Sequence, residues 1–150
     1  MNSICDLSLP QDAIPYQAGF GFALPWVEGT IPAGFPSPAA DFLVKRQDLN
    51  DLIIQNPTAT FFWQARGPSM IEAGIFDGDI LVIDRSISAV HGSIVVAEVD
   101  NDFTVKYLHR RGGQVSLRAA NPTFKPITFK EGQTLTITGV VIATIKRFSR

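Results

Sequence analysis

The amino-acid sequence predicts a mostly-β fold: a curled antiparallel or mixed sheet, preceded by a short helical segment and an extended N-terminal arm. Two observations carry this. From Thr60 onward the chain is a succession of short β-branched and aromatic runs, at 60–64, 80–84, 93–99, 103–108, 114–118 and 134–146. Between them stand turn pairs, Asp77-Gly78, Asp100-Asn101, Gly112-Gly113, Asn121-Pro122 and Glu131-Gly132, with no stretch of helical period, which argues against alternating strand and helix layers.

Taken in chain order, residues 1–36 hold Pro10, Pro15, Pro25, Pro32 and Pro36 among Gly19, Gly21, Gly29 and Gly34, so neither a long helix nor a regular strand is expected there. This is an arm. Tyr16, Phe20, Phe22, Leu24, Trp26 and Val27 are too apolar for a solvated linker, and they are expected to lie against a surface. Ser37-Pro38 then supplies a helix N-cap followed by proline at the first helical position. Phe42, Leu43 and Arg46 continue a helical register toward Leu49, Leu52 and Ile53, so one or two short helices are expected within 38–55. The domain division expected is an arm over 1–36 and a β domain over 37–150.

The chain has 150 residues, room for one sizeable core. Its single cysteine, Cys5, has no internal disulfide partner, and neither a signal-peptide pattern nor an apolar run of membrane-spanning length is present. A soluble, reduced, cytoplasmic protein is the expectation, with no membrane partner. The net charge of −1 argues against the strongly basic surface of a sequence-independent nucleic-acid binder, although Arg110-Arg111 and Lys146-Arg147 are local basic pairs. Residues 1–33 carry Asp6, Asp12 and Glu28 and no Lys or Arg, so the remainder is net positive.

The candidates for chemistry are Ser69, in Gly67-Pro68-Ser69-Met70, and Lys106, in Phe103-Thr104-Val105-Lys106-Tyr107-Leu108, although spacing alone favours a turn serine and a solvated strand lysine. A serine hydroxyl needs an adjacent base, and a lysine serves only if its pKa falls well below the reference of about 10.4 through apolar burial or a neighbouring cation. A salt-bridged lysine could not do this. Alternation sends Thr104, Lys106 and Leu108 to one face of the strand, so the face around the amine is partly apolar. Pro68 has no N–H, so an oxyanion would draw on the N–H of Ser69 and a second donor that the sequence does not name.

Over Ala33 to the C-terminus the chain resembles the UmuD branch of the LexA-type self-cleaving peptidases. The resemblance rests on the runs 33–41 (AGFPSPAAD), 67–71 (GPSMI) with 74–79 (GIFDGD), 103–106 (FTVK) and 139–142 (GVVI). It implies a LexA-like catalytic β domain with Ser69 as nucleophile, Lys106 as general base and Ala33-Gly34 as the scissile pair, and no cofactor. Two positions depart from the pattern: Ala33 stands where that branch often has cysteine, and Pro68 where an acidic or other residue is common. The resemblance further implies a homodimer that removes its own arm when stimulated by a RecA filament on single-stranded DNA. The shortened form would then join a UmuC-like, Y-family polymerase subunit for translesion synthesis in the SOS response. The alternatives are a LexA-type transcriptional regulator inactivated by cleavage, disfavoured because the broken residues before Ala33 do not suit a helix-turn-helix, and a non-cleaving polymerase-binding module.

His91 and His109 are far apart in sequence with polar neighbours and read as surface histidines, not metal ligands. Asp77 and Asp79 flank Gly78 in a turn without the spacing of a cation loop. Gly19-Phe20-Gly21-Phe22 lacks the strand-helix context and lysine of a phosphate loop.

Overall fold

The computed structural model describes residues 19, 21–36 and 43–149. It divides into two compact units, one formed by Ala18–Gln55 and the other by the chain from Asn56 onward.

In the first unit, β1 (Ala23–Val27) pairs antiparallel with β2 (Val44–Asp48), from Ala23 opposite Asp48 to Val27 opposite Val44. A regular strand thus runs through the proline-rich segment, contrary to expectation. Pro25 is tolerated because a two-stranded ribbon has an open edge on each strand, where a missing N–H leaves no partner unsatisfied. The helical register expected through Leu43 and Arg46 is likewise replaced by β2, and the helix shrinks to α1 (Leu49–Ile53). Ser37-Pro38 and Phe42 lie outside the described residues. Asp48 explains the switch from strand to helix. Its Oδ1 accepts the Asn50 N–H at 2.8 Å as an N-cap, and its Oδ2 accepts the Phe22 N–H at 2.6 Å, joining the helix start to the segment before β1. These backbone donors, Asn50 first, hold the Asp48 carboxyl below its ordinary pKa. Phe22, Leu24, Trp26 and Val27, expected to lie against a surface, are all exposed. Phe20 and Tyr16 lie outside the described residues.

The second unit is one antiparallel sheet of seven strands in the order β3-β4-β9-β5-β6-β7-β8. β3 (Thr60–Gln64), β4 (Ile80–Asp84) and β7 (Gln114–Arg118) occupy the expected runs. β5 (Ile94–Val99) and β9 (Leu135–Ile145) are each slightly shorter than expected, and β6 (Asp102–Arg111) is longer. β8 (Ile127–Thr128) is an additional two-residue edge strand. Because side chains alternate across a strand, the sheet buries both faces. Phe61, Met70, Ile75, Leu81, Ile83 and Val96 form one core cluster, and Val95, Ala97, Leu108, Leu117 and Val140 form the other.

The curl originates in β9. Its pairing slips by one residue against β4, where Ile142 is extra between Val141 and Ala143, and again against β5, where Thr138 is extra between Ile137 and Gly139. Each bulge bends the strand and increases its twist. At the second bulge β4 comes very close: a Cβ at Gly139 would lie 2.6 Å from Ile83 Cγ2 and 3.1 Å from the Asp84 carbonyl oxygen. The glycine of the 139–142 motif is therefore a packing requirement. Thr138, 3% exposed, keeps an Oγ1 with no hydrogen-bond partner among the described residues.

Two substitutions test this account of β9. Gly139→Ala should cost about 1–3 kcal/mol in urea unfolding, because Ile83 and the β4 backbone must move. Thr138→Val should unfold at the same or higher urea concentration, since it removes an orphaned hydroxyl at nearly constant volume.

Candidate active site

The chain between β3 and β4 carries Ser69, and its path is fixed by hydrogen bonds at both ends. The Ala65 N–H donates to the Asp79 carbonyl at 2.8 Å and the Gly78 N–H to the Ala65 carbonyl at 2.9 Å, closing the loop at its base. Gly67 adopts φ +87°, a left-handed conformation that disfavours side chains, and its N–H donates to Asp77 Oδ1 at 2.7 Å. Beyond the serine, Met70 is buried in the core cluster beneath the loop, and a 3-10 turn follows over Ile71–Ala73. Asp77 and Asp79 thus occupy a turn, as expected. Asp79 is nearly buried and accepts from Lys146 Nζ and from the Phe76 N–H. Lys146 first and the Phe76 amide second hold its carboxyl below the usual range.

A contact absent from the sequence expectations secures the loop from the opposite side. Asn121 Nδ2 donates to the Pro68 carbonyl at 2.9 Å, while its Oδ1 accepts from the Thr123 N–H and hydroxyl. The neighbouring Ala120 carbonyl accepts the Glu72 N–H, so the nucleophile turn is clamped between β4 and the segment after β7. The Asn121-Pro122 pair reads in sequence as a turn signal, and nothing local shows its reach to residue 68.

Lys106 projects from β6 to the same place. Its Nζ lies 2.9 Å from Ser69 Oγ and donates to Thr104 Oγ1 at 2.7 Å and to the Val105 carbonyl at 3.0 Å. The side chain is 8% exposed, and no carboxylate pairs with it among the described residues. Burial alone pushes its pKa down. The three contacts match the chemistry of a base. A neutral amine keeps two N–H donors, which Thr104 Oγ1 and the Val105 carbonyl satisfy, and presents its lone pair to the serine hydroxyl. Ser69 and Lys106, 37 residues apart, are thereby within proton-transfer distance.

Both side chains line a cleft of about 430 Å3. Trp63 and Phe103 wall it in an edge-on pair with centroids 5.1 Å apart, and Val105 and Phe124 add apolar surface. With Pro68 lacking a donor and the Gly67 N–H taken by Asp77, the amides of Ser69 and Met70 are the donors in the turn with no acceptor among the described residues. Ala33 and Gly34 belong to the first unit, in an exposed bend over residues 33–35, and a side chain built on Gly34 would meet open space.

The two histidines are surface groups but not separate ones. Their rings stack edge-on at 4.8 Å, because the β5–β6 pairing brings residue 91 beside the β6 segment that carries residue 109. His91 Nδ1 accepts the Arg110 N–H at 3.1 Å. No group of three or more metal-ligating side chains occurs among the described residues. No helix of the described residues is long and apolar enough to cross a membrane.

Comparison with known proteins agrees with the family resemblance. Residues 25–142 match the family model described as Peptidase S24-like. Protein SamA of Salmonella typhimurium is 44% identical over 116 residues, covering 77% of this chain and 80% of that protein. Protein ImpA of the same species is 54% identical over 76 residues, about half of each chain (51% and 52%). The LexA repressor of Cupriavidus taiwanensis is 37% identical over 142 residues, 94% of this chain and 64% of the repressor.

The Asp79–Lys146 pair gives a testable acid dependence. A carboxyl held below its unfolded pKa contributes stability that is complete above the unfolded value and is lost as the pH falls through the lower folded one. Lys146→Met removes the largest lowering cause, so the variant should be less stable near pH 5, lose less stability on acidification, and reach the end of that loss at higher pH than the unaltered chain. Urea midpoints measured from about pH 5 down to pH 2 would show the displacement.

Proposed function

Because the chain belongs to the Peptidase S24-like family, serine peptidases of the LexA and UmuD type, we propose that it cleaves itself between Ala33 and Gly34 with Ser69 and Lys106. The observation that carries this reading is the buried Lys106 amine, unpaired with any described carboxylate and 2.9 Å from Ser69 Oγ.

Neutral Lys106 takes the proton of Ser69 as Oγ adds to the Ala33 carbonyl carbon. The resulting oxyanion draws on the Ser69 and Met70 amides. Lys106, now an ammonium, gives its proton to the Gly34 nitrogen as the C–N bond breaks, leaving residues 1–33 as an ester on Ser69. Lys106 then deprotonates a water that hydrolyses the ester, and both groups return to their starting states. Small residues on either side of the bond suit this chemistry, because an extended backbone at Ala33-Gly34 can approach the serine closely.

The UmuD-like resemblance, with relatives named SamA and ImpA, supports a setting in the SOS response. In this reading the chain is a cytoplasmic homodimer whose cleavage is stimulated by a RecA filament on single-stranded DNA. The shortened form then serves as accessory subunit of an error-prone, Y-family polymerase. Losing residues 1–33 removes three acidic residues and the exposed aromatic Phe22 and Trp26, so cleavage changes both the charge and the apolar surface of the product.

Mass spectrometry of the purified chain after alkaline incubation, and with RecA on single-stranded DNA, tests the reading. Ser69→Ala and Lys106→Ala should each abolish the product beginning at Gly34, and the double variant should be no slower than either, because the two groups act as a unit. Retained cleavage in folded Lys106→Ala would remove the lysine from the mechanism. The rate should rise with pH and level off once Lys106 is mostly neutral, since its protonated form is inactive. Gly34→Glu should fold normally, given the open space around that position, yet resist cleavage.

A further inference from the structure

The basic pair Arg110-Arg111 takes no part in the peptidase reading, and it lies in a stretch of sequence rich in positive charge. From Phe103 to Lys130 the sequence contains six Lys or Arg residues and no Asp or Glu, although the whole chain is net negative. Lys106 is in the cleft described above. The other five are exposed, on β6, β7 and the segments flanking β8.

The sheet register places two of them, Arg111 and Arg118, on one face, while Arg110 alternates to the other. His109 is opposite Ser116, Arg111 opposite Gln114, and Ser116 opposite Thr128 across to β8, so these side chains share a face, and Arg118, two residues beyond Ser116, joins them. All six line an open groove of about 940 Å3, to which Phe129 adds an aromatic ring. No acidic residue among the described residues lines it. Arg111 and Arg118 form no ion pair among the described residues. His109 registers the crowding: after desolvation, the charges of Arg118, His91 and Arg111 all lower its pKa. Uncompensated like charge raises the energy of the free protein and is relieved by a bound polyanion.

We propose that this groove binds a single strand of nucleic acid through its phosphates, without sequence preference. Its chemistry is that of phosphate recognition: two guanidinium forks with an amide and two hydroxyls between them. Phe129 supplies a surface for base contact. An extended acidic peptide fits less well. Peptides that bind sheets gain much of their affinity by pairing with an edge strand, and β8, at the edge here, offers two residues. This site shares no side chain with the Ser69–Lys106 cleft and does not depend on the self-cleavage reading.

The test is fluorescence anisotropy of a labelled oligo-dT strand with the full-length Ser69→Ala chain, titrated at several salt concentrations. Arg111→Gln combined with Arg118→Gln should lower the salt slope of log affinity by about 1.4, the share of two single-strand phosphate contacts, and weaken binding on the order of 25-fold at 0.1 M salt. Arg111→Lys with Arg118→Lys should retain most of the binding. The Gln pair should keep the circular-dichroism spectrum and urea midpoint of the Ser69→Ala chain, which shows that it is folded. No binding at low salt, or equal binding by the Gln pair, overturns the proposal. So does competition by polyglutamate as effective as that by unlabelled strand, which would assign the groove to an acidic polypeptide. Displacement by millimolar inorganic phosphate as effective as that by strand would assign it to a small anion, and equally overturns it.

Discussion

Lys106 is almost fully buried, and its amine meets a hydroxyl, a carbonyl and the serine, but no carboxylate among the described residues. A carboxylate beside it would restore the charged form and rule out the proposed role as a base, while full exposure would do the same through water. The surrounding architecture meets both conditions at once. β6 is an interior strand between β5 and β7, which keeps water from the lysine, and its acceptors come from Thr104 and Val105 on the same strand. Ser69 is then brought to the amine by a loop tied through Asp77, Asn121 and the buried Met70. None of these ties touches Ser69 Oγ or Lys106 Nζ, yet each limits how far Ser69 can move from Nζ.

The second organising element is β9, an interior strand between β4 and β5. Two bulges in one strand of eleven residues make it the bent spine on which flanking strands turn. The close approach at Gly139 and the orphaned hydroxyl of Thr138 fall beside one of those bulges. Local strain there is the cost of curvature, and it is met by burial on both sides.

Most strands of the large sheet were legible because β-branched and aromatic runs between turn pairs have one reading when no helical period competes. The small unit was not. Pro25 suggested a break, but a ribbon edge accommodates it, and the run 44–48 (VKRQD) is too polar to reveal a strand that is paired and yet largely exposed. β8 escaped notice because two residues beside Pro126 carry no periodicity. At the site, the resemblance supplied Ser69 and Lys106, and alternation on β6 placed Thr104 on the lysine's side, but its hydrogen bond to the amine came only from the structure. Asn121, 53 residues from Pro68, was invisible, since long-range clamps leave no local pattern. The histidine pair was missed for the same reason. Sequence distance between 91 and 109 is erased by a hairpin whose register only the fold fixes.

An amine in place of an imidazole changes which small molecules can engage the cleft. Reagents that inactivate serine peptidases by alkylating a histidine base find none among the described residues of this lining, where Ser69 faces Lys106 and the walls include Trp63 and Phe103. Electrophiles that add to the serine oxygen and carry a flat apolar group for the Trp63–Phe103 side suit the cavity far better. If Lys106 acts as the base proposed above, compounds bearing a positive charge would raise the electrostatic cost of the ammonium it forms. Selective chemistry for this cleft therefore calls for neutral or anionic serine-directed groups, a profile opposite to that of inhibitors built for trypsin-like pockets with an acidic floor.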